Sequence, residues 1–158
     1  MIGKYLGSHK EKHVKVLKAY CNSLDFSNLE FDQALRLLLS RFKLPGEAWQ
    51  IERIVQMFAE VYHKDNPDAF VDADTPYILS YSLLMLNTDA HSDNIPKNKK
   101  MTKTQFVTNN LKVCKGISAE YLGKMYDNIV KSKFETRTDC NFEILLLMSS
   151  LNLNLIRH

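Results

Sequence analysis

A chain of 158 residues, 45% hydrophobic and 25% charged, has the size and composition of one globular domain with its own core. Five glycines and four prolines are too few for a turn-rich all-β protein, while Leu, Lys, Glu, Met and Ala supply long helix-forming stretches, so composition favours an all-α fold. The net charge of +3 comes from scattered basic residues, and the one dense run, Lys97 to Lys100, reads as solvated loop rather than a nucleic-acid patch.

In chain order, Ser8 with Glu11 forms a capping box, and Val14, Leu17, Tyr20 and Cys21 follow at amphipathic spacing, predicting a first helix that ends near Asn22. Ser27 with Glu30 predicts a second helix carrying Phe31, Ala34, Leu35 and Leu38, broken at Pro45-Gly46. Ile51, Ile54, Val55, Phe58, Val61 and Tyr62 define the clearest helix, which runs to a polar loop from His63 to Asp68. The segment Thr75 to Leu86 is apolar on nearly every side, with Thr75 placed to cap and Pro76 suited to the first turn; such a helix is buried or binds something. A polar loop, Asn87 to Lys100, is expected next. It leads to a capping box of Thr102 with Gln105 and a short helix, then to a helix capped by Ser118 that bears Tyr121, Leu122, Met125, Tyr126 and Ile129. About six helices and no strand are predicted, and the end, Asn141 to His158, turns Leu-rich and loses most of its charge.

Cys21, Cys114 and Cys140 are far apart and in no metal-ligand spacing, which fits a reduced, cytoplasmic chain. The N-terminus lacks an apolar h-region, and the longest apolar run, Tyr77 to Leu86, is far short of the roughly twenty residues of a membrane span. No nucleophile elbow, Walker loop, HExxH or CxxC pair occurs, so hydrolase and kinase readings have no support. Two segments stand out. In Phe42-Lys-Leu-Pro-Gly-Glu-Ala48, a Pro-Gly break is followed at once by a carboxylate at a helix start, where Glu47 by itself is an ordinary first-turn charge worth roughly 0.3–1 kcal/mol against the macrodipole. In Leu86-Asn-Thr-Asp-Ala-His91, Asp89, His91 and Asp93 converge poorly for a metal, so neither metal nor cofactor is expected; Asn87 and Thr88 read as shaping the loop beside an apolar surface.

Phe42 to Ala48 followed by Ile51-Glu-Arg53, and Tyr77 to His91 with Met101-Thr102 beyond, closely resemble the two signature motifs of the Sec-seven family of Arf guanine-nucleotide exchange factors. The resemblance runs from about Ile2 to about Phe134. It implies an all-α, right-handed superhelix with a hydrophobic groove for the GTPase switch regions and a catalytic glutamate at its edge, here Glu47. It implies that Tyr77, Tyr81, Leu84 and Met85 line the groove, with Lys43, Asp74 and Asn87 bordering it or shaping its loops. Tyr81-Ser82, Asp89 and Met101 match the brefeldin-A-sensitive, Golgi-type members and would form an inhibitor pocket. The implied partner is an Arf-family GTPase, GDP-bound and nucleotide-free, with membranes reached only indirectly at Golgi or endosomal surfaces, no nucleic acid, and exchange catalysis without covalent chemistry.

The sequence departs from the family pattern in three places. Trp49-Gln50 stand where Gln-Lys is usual, the loop from His91 to Met101 is about two residues longer, and the helices that usually precede Ile2 are missing. The expected organisation is therefore a partial exchange domain, 1–135, followed by a divergent Leu-rich tail, 136–158. Three functions remain open: an active exchanger in vesicle trafficking, a truncated non-catalytic Arf-binding module, and a helical scaffold unrelated to GTPases.

Overall fold

The computed structural model describes residues 10–41 and 44–135. Its regular elements are α1 (Glu11–Ser23), α2 (Phe31–Arg41), α3 (Ala48–Asp65), α4 (Asp74–His91), a one-turn 3-10 helix (Lys97–Lys99), α5 (Lys103–Val113) and α6 (Ala119–Lys131). The all-α expectation holds, with no strand among the described residues. Ser8, Lys43, Cys140 and the 136–158 tail lie outside the described residues.

The helices form where apolar periodicity predicts, and the buried stripes are the predicted ones. Leu17 and Cys21 of α1 are enclosed, as are Phe31, Ala34, Leu35 and Leu38 of α2 and all six stripe residues of α3. Where the chain turns from α1 to α2 and from α3 to α4, five aromatic rings meet. Phe31 lies 5.6 Å from Phe58, 5.0 Å from Tyr62 and 5.2 Å from Phe70, and Phe26 stands edge-on to Phe58 at 5.1 Å. Edge-to-face pairs of this kind add roughly 0.5–1.5 kcal/mol each beyond the area they bury. Asn66 stitches the two turns together, its amide donating to the carbonyls of Phe26 (2.9 Å) and Tyr62 (3.2 Å) while its oxygen accepts from the Asn28 amide at 2.9 Å.

Helix starts differ from expectation in two places. Ser27 does not cap α2: its amide donates to Asp25, Asn28 adopts a left-handed conformation with φ 59°, and the Glu30 carboxylate pairs with Lys124 at 3.1 Å instead of reaching back. At α4 the cap is Asp72 rather than Thr75, because Asp72 Oδ1 accepts from the Thr75 amide at 2.8 Å. That hydrogen bond, ahead of smaller contributions, holds the Asp72 carboxyl below its ordinary value. The two remaining caps form as predicted, a full capping box at Thr102 with Gln105 and Ser118 accepting from the Tyr121 amide at 3.1 Å.

Helices α3 and α4 lie against each other at the centre, with α1 on the outer side of α3 and α6 on the outer side of α4. Arg36 closes the circuit between α2 and the end of α6. Its guanidinium donates to the carbonyls of Asn128 (3.1 Å) and Lys133 (2.9 Å) as well as Ser132, and it sits 4.8 Å above the Phe134 ring. The Ser132 carbonyl at the C-cap has no partner within the helix, and that of Lys133 lies just beyond it, whereas that of Asn128 also accepts from the Ser132 amide at 3.0 Å.

Phe31→Ala is expected to lower unfolding free energy by about 3–5 kcal/mol, measured by urea denaturation, because it removes the ring that the other aromatics share. For Asp72 the sign follows from its depressed folded value: its stabilisation is present above the unfolded carboxylate value and lost as pH falls through the folded one. Asp72→Ala is therefore expected to cost about 0.5–1 kcal/mol at neutral pH. Denaturant titrations of parent and variant should converge in strong acid.

Candidate functional site

The site is built on α3 and α4. Leu44 and Pro45 are buried ahead of α3, so the chain enters that helix from an anchored turn. Glu47 occupies the N-cap position in extended conformation, φ −96° and ψ 128°. Its carbonyl accepts from the Gln50 and Ile51 amides at 3.0 and 3.2 Å. Its side chain is exposed and makes no cap hydrogen bond. The backbone of Glu47 is thus fixed by the helix, while its carboxylate is left outside it.

Helix α4 is enclosed over most of its girth, with eleven of its 18 residues buried. One stripe stays open or close to the surface: Asp74 is exposed, Tyr77, Ile78, Met85 and Asp89 are half-buried, and Tyr81 and Ser82 lie between them at 7% and 8% exposure. Tyr77 and Tyr81 stand edge to face at 5.3 Å. The Tyr77 hydroxyl donates to Glu52 Oε1 on α3 at 3.2 Å, joining the helix that carries Glu47 to the open stripe. Burial, and then the Glu52 charge, raise the Tyr77 hydroxyl above its ordinary value. Burial raises Tyr81 far higher, so both phenols stay protonated. No hydrogen bond of ordinary geometry reaches the buried Tyr81 hydroxyl, and the Tyr77 hydroxyl is close enough to interact with it.

The expected groove residues divide. Asp74, Tyr77, Tyr81 and Met85 fall on the open stripe, as helical spacing predicts. Leu84 does not: it is 0% exposed and backs the stripe from within the core. On a helix apolar all round, spacing alone cannot tell the open face from the core face. Asn87 is 1% exposed, and its Oδ1 accepts the Phe134 amide at 2.8 Å, so of the two expected roles, bordering the groove or shaping its loops, its placement suits the second. Lys43 lies outside the described residues.

The predicted loop from Asn87 is also shorter than expected, since α4 continues to His91. Thr88 Oγ1 donates to the Leu84 carbonyl (3.1 Å) and His91 Nε2 donates to the Ile129 carbonyl (2.7 Å), so these polar residues find partners that extend the helix instead of ending it. Lys100 Nζ binds the Ala90 and Ser92 carbonyls at 2.7 and 3.1 Å, capping α4 from outside.

Of the four expected inhibitor-pocket residues, Ser82 and Asp89 are seven apart and so share one helix face. Asp89 Oδ2 accepts the Met101 amide at 2.7 Å, and the Tyr126 hydroxyl donates to the Met101 carbonyl at 2.8 Å. Asp89 and Met101 are thereby joined beside the stripe that carries Tyr81. Sequence reasoning missed Glu52 and Ile78. Ile78 is four residues before Ser82 on the same face, a signal hidden by the all-round apolarity of α4, while Glu52 falls inside the Ile51-Glu-Arg53 part of the first motif with no spacing signal that pairs it with Tyr77.

A Sec7 domain family profile matches residues 1–134. Among curated relatives, Brefeldin A-inhibited guanine nucleotide-exchange protein 1 of Arabidopsis thaliana is 46% identical over 141 residues, 88% of this chain and 8% of its own length. The ADP-ribosylation factor guanine nucleotide-exchange factor sec72 of Schizosaccharomyces pombe is 48% identical over 140 residues, 87% of this chain and 8% of its own length. The chain thus spans a small part of the curated relatives it matches. Among solved structures, a Sec7 domain bound to ARF1-GDP and complexed with brefeldin A superposes with a TM-score of 0.75 at 36% identity, covering 85% of this chain and 68% of that one. A profile match over most of the chain, two exchange-factor relatives above 45% identity and a shared helical fold lead to one conclusion: the chain belongs to the Sec7 domain family.

Proposed function

We propose that this chain promotes GDP release from an Arf-type small GTPase, with Glu47 as the glutamate inserted at the nucleotide site and the Tyr77–Met85 stripe of α4 as the floor of the groove that holds the switch regions. The observation that carries this reading is the placement of Glu47: an exposed carboxylate at the N-cap of α3, on a backbone held by two helix hydrogen bonds, at the start of the helix that Tyr77 joins to an open apolar stripe.

The mechanism is competition of charge. In the GTPase, Mg²⁺ and a P-loop lysine neutralise the GDP phosphates. A carboxylate brought into that site takes the lysine and repels both phosphate and metal ligands, so nucleotide affinity falls until GTP displaces the exchanger. No covalent step is involved. The rigid start of α3 lowers the entropic cost of presenting the carboxylate, and the apolar stripe provides the contact that holds the GTPase while the nucleotide leaves. Residues 1–135 form the exchange domain in this reading and 136–158 a separate tail. The setting is vesicle trafficking, at Golgi or endosomal membranes reached through other contacts; no helix among the described residues is long and apolar enough to cross a membrane.

Tyr81, Ser82, Asp89 and Met101 form the inhibitor pocket in the same reading. The buried, unpartnered Tyr81 hydroxyl supports it. A buried donor left unpaired costs about 1–3 kcal/mol, and a ligand that accepts from it recovers that cost.

Mixing the chain with membrane-truncated Arf·GDP is expected to accelerate GDP release, followed by nucleotide fluorescence. Glu47→Lys is expected to abolish the acceleration while the complex still forms; binding without exchange by the parent selects the non-catalytic module instead. Brefeldin A is expected to slow the parent's exchange, and Tyr81→Phe to relieve the inhibition roughly tenfold or more by removing the hydroxyl. Equal inhibition of parent and variant in a dose series counts against the pocket.

A further inference from the structure

Trp49 is the chain's single tryptophan, and it remains 39% exposed. It stands on the first turn of α3, two residues after Glu47. One turn further along the same face is Glu52, which accepts the Tyr77 hydroxyl at 3.2 Å, and Tyr77 rests on Tyr81. Trp49 thus stands on α3 between Glu47 and Glu52, the residue that links this helix to the open stripe of α4. A partner that engages Glu47 and the stripe together comes close to Trp49. The indole is also well placed to contribute. Ile51, Ile54 and Val55 bury the inner face of α3 and hold the helix still, and a tryptophan brings a large contact area at low conformational cost.

We propose that Trp49 is a specificity-determining contact for the GTPase. The indole is covered by an apolar patch beside the GTPase nucleotide site as Glu47 enters. The inference rests on the exchange reading above. Its selectivity follows from the ring's electrostatics: an apolar side chain packs on the indole, whereas a carboxylate loses its hydration against the electronegative face and is rejected.

The test uses the full chain labelled with fluorotryptophan, which yields a single fluorine resonance whatever tryptophans the GTPase contains. It is run alongside exchange kinetics of the parent, Trp49→Gln, Trp49→Phe and Glu47→Lys, with folding of each checked by circular dichroism. On addition of truncated Arf·GDP the resonance is expected to shift or broaden. Trp49→Gln is expected to raise KM for Arf·GDP roughly tenfold with kcat within about twofold, and Trp49→Phe to recover to within about threefold of the parent. Glu47→Lys loses kcat instead. An unmoved resonance and an unchanged KM in Trp49→Gln, with normal exchange by the parent, overturn the contact and leave the exchange reading standing. A fall in kcat without a rise in KM also overturns it, by assigning the indole to placement of Glu47 rather than to partner binding. Neither binding nor exchange by the folded parent overturns the exchange reading and this inference with it.

Discussion

The rest of the structure depends on the enclosure of α4. This helix carries apolar residues on every side and also a polar C-terminal turn, so the protein must cover most of it and provide a partner for each polar group that goes inside. Asn87 receives the Phe134 amide, Asp89 the Met101 amide, and His91 donates to the Ile129 carbonyl. Each of these groups left unpaired would cost about 1–3 kcal/mol, comparable to a large share of a domain's net stability. The partners come from the loop before α5 and from the end of α6, so those distant segments are positioned by the same helix that carries the open stripe.

Arg36 makes that arrangement mutual. Its guanidinium holds the carbonyls at the end of α6 and covers the Phe134 ring, while the Phe134 amide is bound by Asn87. Desolvation lowers the Arg36 guanidinium from its ordinary value, opposed by the Asp32 and Glu135 charges, and it remains charged. Asp32 in turn accepts from the Asn128 side chain at 3.1 Å. Helices α2 and α6 therefore meet through charge-assisted hydrogen bonds, and α4 joins them through the neutral Asn87–Phe134 bond, which fixes their register more tightly than apolar packing alone. The Tyr81 hydroxyl is an exception on the same helix, buried and unpaired beside the open stripe.

Much of this was legible in the sequence because it is local. The stripe of α3 and the caps at Thr102 and Ser118 depend on residues within one or two turns, and they formed as their spacing predicts. Glu47 stood out as a local pattern too, a Pro-Gly break followed by a carboxylate, but by itself it reads as an ordinary first-turn charge, and its proposed role comes from the family resemblance. The misses share the opposite property. Ser27 lost its capping role to a turn held by Asn66, 39 residues away. Leu84 turned inward because the neighbours of α4, not its own periodicity, decide which face is open. Asn87 and His91 look like loop residues until Phe134 and Ile129 arrive as partners. Glu52 matters through Tyr77, a pairing across 25 residues that no spacing rule encodes.

The division of labour proposed for α3 and α4 follows from these constraints. In the exchange reading, a carboxylate bound for a charged nucleotide site cannot sit in the middle of a buried helix, where desolvation would raise its pKa and neutralise it. Nor can it ride on a loose loop, where ordering it on binding would consume the interaction energy it is meant to direct. The N-cap position resolves both requirements. Leu44 and Pro45 are buried behind it, the Gln50 and Ile51 amides hold its carbonyl, and the side chain projects clear of the helix. Helix α4 has the complementary task in that reading, since a surface that must grip a partner needs area and shape rather than charge. It has no acidic or basic side chain between Asp74 and Asp89. With the Tyr77–Glu52 hydrogen bond joining the two packed helices, the open stripe and Glu47 share one framework, and in the exchange reading placement of a partner on α4 sets where the carboxylate arrives.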